Sequence, residues 1–284
     1  MNTFKGIFWF VLSLVIGVFL DVIQKRLGGS LTGEEITFFR FLLGALVLLP
    51  FLYKDGLRKG FRLTPYIRIH LFRAVLLFSG MVLWCYGLRV VPISTAIVLN
   101  YSIPFFTLLL SIPILKENVN RDRWITTFIG LIGVLIVLNP QAVSFDGKSC
   151  IILISSFLFA LLDIFNKKYI CKESMLNMLF YTAFFTCLLS VYPALQHYSF
   201  AFMDNWGLLV LLGIGANAIF YCLLKAFAFM DASALAPYRY CDFFVSALLG
   251  FLFFGEKPAA TTYIGFAVIV PCTLYLTYKE TRKS

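Results

Sequence analysis

Apolar residues run along this chain in long blocks that charge hardly interrupts. Val90 to Leu115, Trp124 to Phe145, Ser174 to Met203 and Pro258 to Tyr278 contain no Lys, Arg, Asp or Glu, and each is long enough to cross about 30 Å of hydrocarbon as a helix. Shorter blocks between charge clusters complete the pattern. It predicts ten helices, at Phe4 to Arg26, Glu35 to Tyr53, Ile67 to Leu88, Ile93 to Leu115, Arg123 to Asn139, Ser149 to Ile170, Met175 to Leu195, Trp206 to Met230, Ala234 to Phe254 and Thr261 to Tyr278. The first resembles a signal peptide only in being apolar. It is too long, lacks a small-residue cleavage site and leads into further spans, so it belongs to the mature protein.

Composition agrees with this pattern. Of 284 residues, 61% are hydrophobic and 13% charged, against about half and a quarter in soluble domains. The net charge of +10 does not mark a nucleic-acid partner, because the basic residues sit in short loops between apolar blocks and not on one helical face. With the N-terminus in the cytoplasm, that side receives Lys54, Arg58, Lys59, Arg62, Lys116, Arg121, Arg123, Lys167, Lys168, Lys172, Lys279, Arg282 and Lys283. The opposite loops keep Lys25, Arg26, Arg89, Lys148 and Lys257. This asymmetry follows the positive-inside rule and predicts that both termini are cytoplasmic. The seven cysteines (Cys85, Cys150, Cys171, Cys187, Cys222, Cys241, Cys272) occur singly, with no metal-ligand spacing; they read as small apolar residues.

The two halves echo each other. Asp21-Val-Ile-Gln24-Lys25 matches Asp163-Ile-Phe-Asn166-Lys167, and the same offset lays Glu35-Ile-Thr-Phe38-Phe39 over Asn177-Met-Leu-Phe180-Tyr181. A slightly shorter offset aligns Leu115-Lys116-Glu117 with Phe254-Gly255-Glu256 and puts Tyr101 on Tyr240. The fold class expected is therefore an all-α integral membrane protein, one transmembrane domain over residues 1–284, with repeat one at 1–141 and repeat two at 147–284. Five crossings per repeat, an odd number, insert the second repeat upside down. Inverted repeats are the architecture of secondary transporters, with a substrate site near the midplane.

Phe38-Phe-Arg40-Phe41, Leu76 to Met81, Trp84 to Leu88, Asp163 to Lys168, Lys172 to Met175, Leu223 to Phe227 and Ala236 to Tyr240 carry a resemblance that extends over nearly the whole chain. In these stretches, and in the small-residue-Pro-aromatic segments of the fourth and ninth helices, the chain resembles the EamA type of the drug/metabolite transporter superfamily. Within it the chain looks most like the S-adenosylmethionine uptake transporters of obligate intracellular bacteria. The resemblance implies import of S-adenosylmethionine across a bacterial inner membrane in exchange for S-adenosylhomocysteine. It implies no cofactor, no metal and no catalytic residue, and a monomer or homodimer in the lipid bilayer.

Ionisable groups within spans are the main pointers to a site, since each costs on the order of 2.5 to 3.5 kcal/mol at the bilayer centre unless paired or hydrated. Arg40, Arg73, Asp163, Lys225, Arg239 and Asp242 qualify, with Asp21 nearer an interface. Pairing within a helix is the competing account, Asp21 with Lys25 and Asp163 with Lys167 at i,i+4 and Arg239 with Asp242 at i,i+3. Pro104 and Pro237 each remove a backbone hydrogen bond from corresponding helices, the kind of break that marks a transporter site. The glycines Gly80, Gly87, Gly130, Gly133, Gly213 and Gly215 read as helix contacts. His70 and His197 fall near span edges without an evident partner.

For the substrate implied, Trp84, Tyr101, Tyr238 and Tyr240 offer aromatic faces to the sulfonium and adenine. Arg239 or Lys225 could take the carboxylate and Asp163 or Asp242 the ammonium, while Asn100 or Asn166 could pair with the adenine edge. No nucleotide-binding loop is present, so a gradient or an exchange must supply energy. The alternatives are an exporter of amino acids or related metabolites, a membrane enzyme acting on lipids, or a non-catalytic scaffold.

Overall fold

The computed structural model describes residues 2–59, 64–138, 147–196, 202–254 and 260–283. Arg62, Asn139, His197 and the segment Gly255 to Lys257 lie outside the described residues.

Every regular element described is helical. The long blocks become α1 (Asn2–Leu27), α2 (Gly33–Lys59), α3 (Ile67–Val90), α6 (Arg121–Leu138), α7 (Ser149–Tyr169), α8 (Met175–Gln196), α9 (Trp206–Phe229) and α12 (Ala260–Lys283). Caps set the start of α2 and α8. Thr32 and Glu35 form a reciprocal capping box, Glu35 accepting from the Thr32 amide at 2.8 Å and Thr32 Oγ1 from the Glu35 amide at 3.3 Å. Ser174 Oγ accepts from the Asn177 amide at 3.1 Å. Each satisfies an amide that the first helical turn leaves without a backbone partner.

The fourth and ninth blocks do not run through. The fourth is α4 (Ile93–Asn100), a turn at Tyr101 and Ser102, α5 (Ile103–Leu110) with Pro104 in its first turn, and a π-helical turn Ser111–Leu115 that stops at Lys116 with φ 58°. The ninth is α10 (Ala232–Leu235), a 3-10 segment Ala236–Cys241 carrying Pro237, and α11 (Asp242–Phe254). Both breaks fall at the prolines the sequence singles out, because the ring removes a donor and crowds the preceding turn.

Helices α1 and α9 pack together, as do α2 and α8, α3 and α7, and α6 and α12. Segments α4 and α5 lie on α7, and α11 on α1. Small residues allow the close crossings: a Cβ on Gly213 would come within 2.9 Å of the Gly44 amide nitrogen, and Asn217 Nδ2 donates to the Gly44 carbonyl there at 2.7 Å. Gly215 meets Leu20, Gly133 meets Ile269 and Gly130 lies under the Tyr240 ring, so these glycines are helix contacts, as expected. Phe4, Phe8, Leu188, Tyr192, Leu252 and Leu274 stand exposed on the outside of the bundle, a surface suited to hydrocarbon and not to water.

Among the described residues, eight helical spans are long and apolar enough to cross a membrane, against ten expected. The difference has a physical cause. Helix α6 opens on Arg121, Asp122 and Arg123 within only 18 residues, and the ninth block is cut into short segments around Arg239 and Asp242.

Candidate functional site

A cavity of about 360 Å³ lies between α1, α3, α4, α5, α7, α9 and the 3-10 segment, at the lower end of the size usual for small-molecule sites. Its polar wall comes from Asp21 of α1, Trp84 of α3, Asn100 of α4, Asp163 of α7 and Arg239 of the 3-10 segment. Leu77, Ile103, Phe159, Leu162, Ile219, Phe220 and Leu223 complete it. Asn100 and Arg239 are both delivered by the helix breaks. The offset that sets Tyr101 on Tyr240 also sets Asn100 on Arg239, and that which sets Lys25 on Lys167 sets Asp21 on Asp163.

The cavity charges are unevenly matched. Arg239 Nη2 donates to Asp163 Oδ2 at 2.9 Å, and the Asp163 side chain is only 9% exposed. Asp163 is therefore paired across helices and not with Lys167, whose ammonium instead donates to the Phe227 and Met230 carbonyls at 2.7 Å each, closing the end of α9. Asp21 is exposed to the cavity, with no salt bridge to a described residue; it is coupled electrostatically to Arg40. Asn100 Oδ1 is buried and has no hydrogen-bond partner, the condition of a group that a ligand or water satisfies.

The other residues expected at the site lie around the cavity and not in its wall. The Tyr101 and Tyr240 rings stack at 5.9 Å, and the Tyr240 hydroxyl donates to the Tyr101 carbonyl at 3.4 Å, so the two tyrosines brace the junction of the broken helices. Tyr238 is core, its hydroxyl 2.8 Å from Thr277 Oγ1. Asn166 accepts from Arg73 Nε at 2.8 Å. Lys225 is half-buried with its ammonium 5.6 Å from the Tyr221 ring centre. Asp242 starts α11 and is coupled electrostatically to Asp21 and Arg239.

Two buried networks that the sequence does not reveal close one end of the bundle. Arg123 donates to both carboxylate oxygens of Glu280, at 3.0 and 3.1 Å, to Asp231 at 3.2 and 3.3 Å and to Ser233 Oγ at 2.7 Å. Glu117, just past the end of the fourth block, accepts from the amides of Ala232 and Ser233 at 2.9 and 3.0 Å. In the second network Arg73 donates to His70 Nδ1 at 3.1 Å. Since Arg can only donate, the His70 proton sits on Nε2, which faces Glu173 at 3.4 Å. Glu173 also accepts from Thr64 and from Asn177 Nδ2. His70 thus has partners after all, Arg73 one turn further along α3 and Glu173 103 residues away, the latter too far for any local spacing to suggest. Among the described residues no His, Cys, Asp and Glu cluster could hold a metal.

A multi-pass helical bundle with a polar cavity between two broken helices defines a membrane transporter, and the comparisons say of which kind. A profile of the EamA-like transporter family matches residues 4–139 and again 148–278, and the chain belongs to that family. A Rickettsia prowazekii (strain Madrid E) protein named "S-adenosylmethionine uptake transporter" is 41% identical over 97% of this chain and 93% of its own. A "Riboflavin transporter" of Vibrio cholerae is 30% identical over 90% of this chain and 86% of its own. One solved structure superposes with a TM-score of 0.80 over 100% of this chain and 98% of its own, at 18% identity, a likeness that shows the fold alone.

Proposed function

We propose that the protein imports S-adenosylmethionine across a bacterial inner membrane in exchange for S-adenosylhomocysteine. The observation that carries this is the cavity, which combines an ion pair (Arg239 with Asp163), a further carboxylate (Asp21), an unsatisfied amide oxygen (Asn100) and an indole (Trp84). These are the partners an amino-acid head, a sulfonium and an adenine require. The 41% identical rickettsial protein named for S-adenosylmethionine uptake supports the same substrate.

Transport proceeds by alternating access of two inverted five-helix halves, at 1–141 and 147–284, with both termini cytoplasmic. The double family match supports the halves. So does the packing: exchanging the halves carries α1 on α9 into α7 on α3, and α4 and α5 on α7 into the 3-10 segment and α11 on α1, while α2 with α8 and α6 with α12 map onto themselves. S-adenosylmethionine is a cation and S-adenosylhomocysteine about neutral, so exchange moves positive charge inward. A membrane potential contributes about 2.3 kcal/mol per charge per 100 mV to that direction.

The test is uptake of labelled S-adenosylmethionine into proteoliposomes with and without S-adenosylhomocysteine inside. Saturable uptake that accelerates on preloading is expected; none above empty vesicles sinks the substrate. The second reading is a flat heteroaromatic cargo such as riboflavin, favoured by Trp84 and Asn100 in the wall and by the Vibrio relative. It gives Asp21, the cavity carboxylate outside the Arg239 ion pair, no cationic ligand, and labelled riboflavin in the same vesicles decides it.

A further inference from the structure

We propose that Asp21 is the residue that selects the sulfonium cation over the neutral thioether. The proposal rests on the substrate reading above and names the side chain that distinguishes two ligands differing only by one methyl group and one charge.

Only three ionisable side chains form the cavity wall among the described residues, Asp21, Asp163 and Arg239. The guanidinium is committed to Asp163 at 2.9 Å, leaving the Asp21 carboxylate as the unmatched charge. Arg40 and Asp242, coupled electrostatically to Asp21, lie outside the wall. A cavity in excess of one negative charge is completed by a ligand of net charge +1 and gains nothing from a neutral one. Apart from Asn100 the remaining wall is aliphatic and aromatic, so the field of Asp21 is screened less than it would be in water. Trp84 lines the same wall, and an indole ring attracts cations.

Arg40, outside the wall, forms no salt bridge with Asp21, and its Nε is buried with no hydrogen-bond partner.

The measurement is the concentration of each unlabelled ligand that halves uptake of labelled S-adenosylmethionine, in wild type, Asp21→Asn and Asp21→Glu. Wild type should require at least about tenfold more S-adenosylhomocysteine than S-adenosylmethionine, a ratio equal to about 1.4 kcal/mol. Asp21→Asn should bring the two within about threefold by weakening the cation alone, and Asp21→Glu should keep most of the preference. Equal weakening of both ligands in Asp21→Asn overturns the proposal, since that is what a purely packing role would give. Should Asp21→Asn not fold, wild type tests the point with an analogue carrying a protonated tertiary amine in place of the sulfonium. Competition by this amine as strong as that of S-adenosylmethionine supports an anionic selector; competition no better than the thioether's overturns it. A wild type that takes up no S-adenosylmethionine overturns the substrate reading itself, whereas uptake with an unchanged ratio in Asp21→Asn removes only the role of Asp21.

Discussion

Among the described residues, the contacts at the two ends of the helix bundle differ in burial. At the end where α7, α9 and α12 finish and α6 begins, Arg123 and Glu280 are 6% and 10% exposed and share a bidentate contact within a wider network. Arg73, His70 and Glu173 form a second network, and Lys167 closes the end of α9. At the opposite end α2 and α3 are joined by Arg89 and Glu34, at 3.1 Å with Arg89 67% exposed, and Asn205 donates to Ser30 Oγ at 3.1 Å. A cavity of about 350 Å³ opens beneath the Arg89 pair. Because α2 and α8 carry the same kind of N-terminal cap, the difference between the ends is not one of secondary structure. It lies in buried charge, which holds helix ends together only while every partner is present. In the proposed alternating-access cycle these buried networks would have to be exchanged for others when their end opens.

The largest effect expected is from Arg123→Ala. It leaves Glu280 buried without its partner and deprives Ser233 and Asp231 of a donor, and breaking a buried pair in this way costs about 3 to 5 kcal/mol. Thermal unfolding of the purified protein should show a large drop for Arg123→Ala and a smaller one for Arg123→Lys, which keeps the charge but not the fork. A wild-type midpoint in Arg123→Ala would erase the contrast between the two ends.

Glu173→Gln comes next, and its effect depends on pH. Burial alone would raise the Glu173 carboxyl, but hydrogen bonds from Thr64, Asn177, the Ser174 amide and His70 outweigh it and hold the group below the ordinary glutamate value of 4.5. The stabilisation is therefore fully present above that value and is lost as pH falls through the lowered one. Removing a charge-assisted acceptor costs on the order of 1.5 to 3 kcal/mol. The gap in unfolding temperature between wild type and Glu173→Gln should be constant from neutrality down to about pH 5 and narrow below it; a gap that widens on acidification reverses the sign and contradicts the assignment.

This contrast was largely out of reach of the sequence, although the frame holding it was not. The expected span Met175 to Leu195 is α8 at Met175–Gln196, and the breaks fall at Pro104 and Pro237 as expected, because apolar length and a missing amide are local properties that the chain states directly. Asp163 and Arg239, singled out as ionisable groups within spans, line one cavity together with Trp84 and Asn100, expected as an aromatic face and an adenine partner. Partners were not legible. Spacing along one helix suggests Lys167 for Asp163, yet the partner is Arg239, 76 residues on, because contacts across helices depend on how each helix is rotated. Tyr238 and Tyr240 fail as wall residues for the same reason: among so many aromatics, sequence cannot say which rings face a cavity and which one another.

Arg89→Ala should have the smallest effect, and it is the other half of the comparison. Its ion pair with Glu34 is mostly in contact with solvent or headgroups, where long side chains lose entropy to hold one geometry and salt screens the attraction, so such pairs contribute about 0 to 1 kcal/mol. The expected outcome is an unfolding midpoint within error of wild type in moderate salt and uptake changed by less than about twofold. A double substitution with Arg123→Lys sharpens this, because sites at opposite ends with no shared partner should add. A loss in Arg89→Ala as large as that of Arg123→Ala would mean that the exposed Arg89–Glu34 pair also bears on stability, and the contrast between a buried network and an exposed pair would fail.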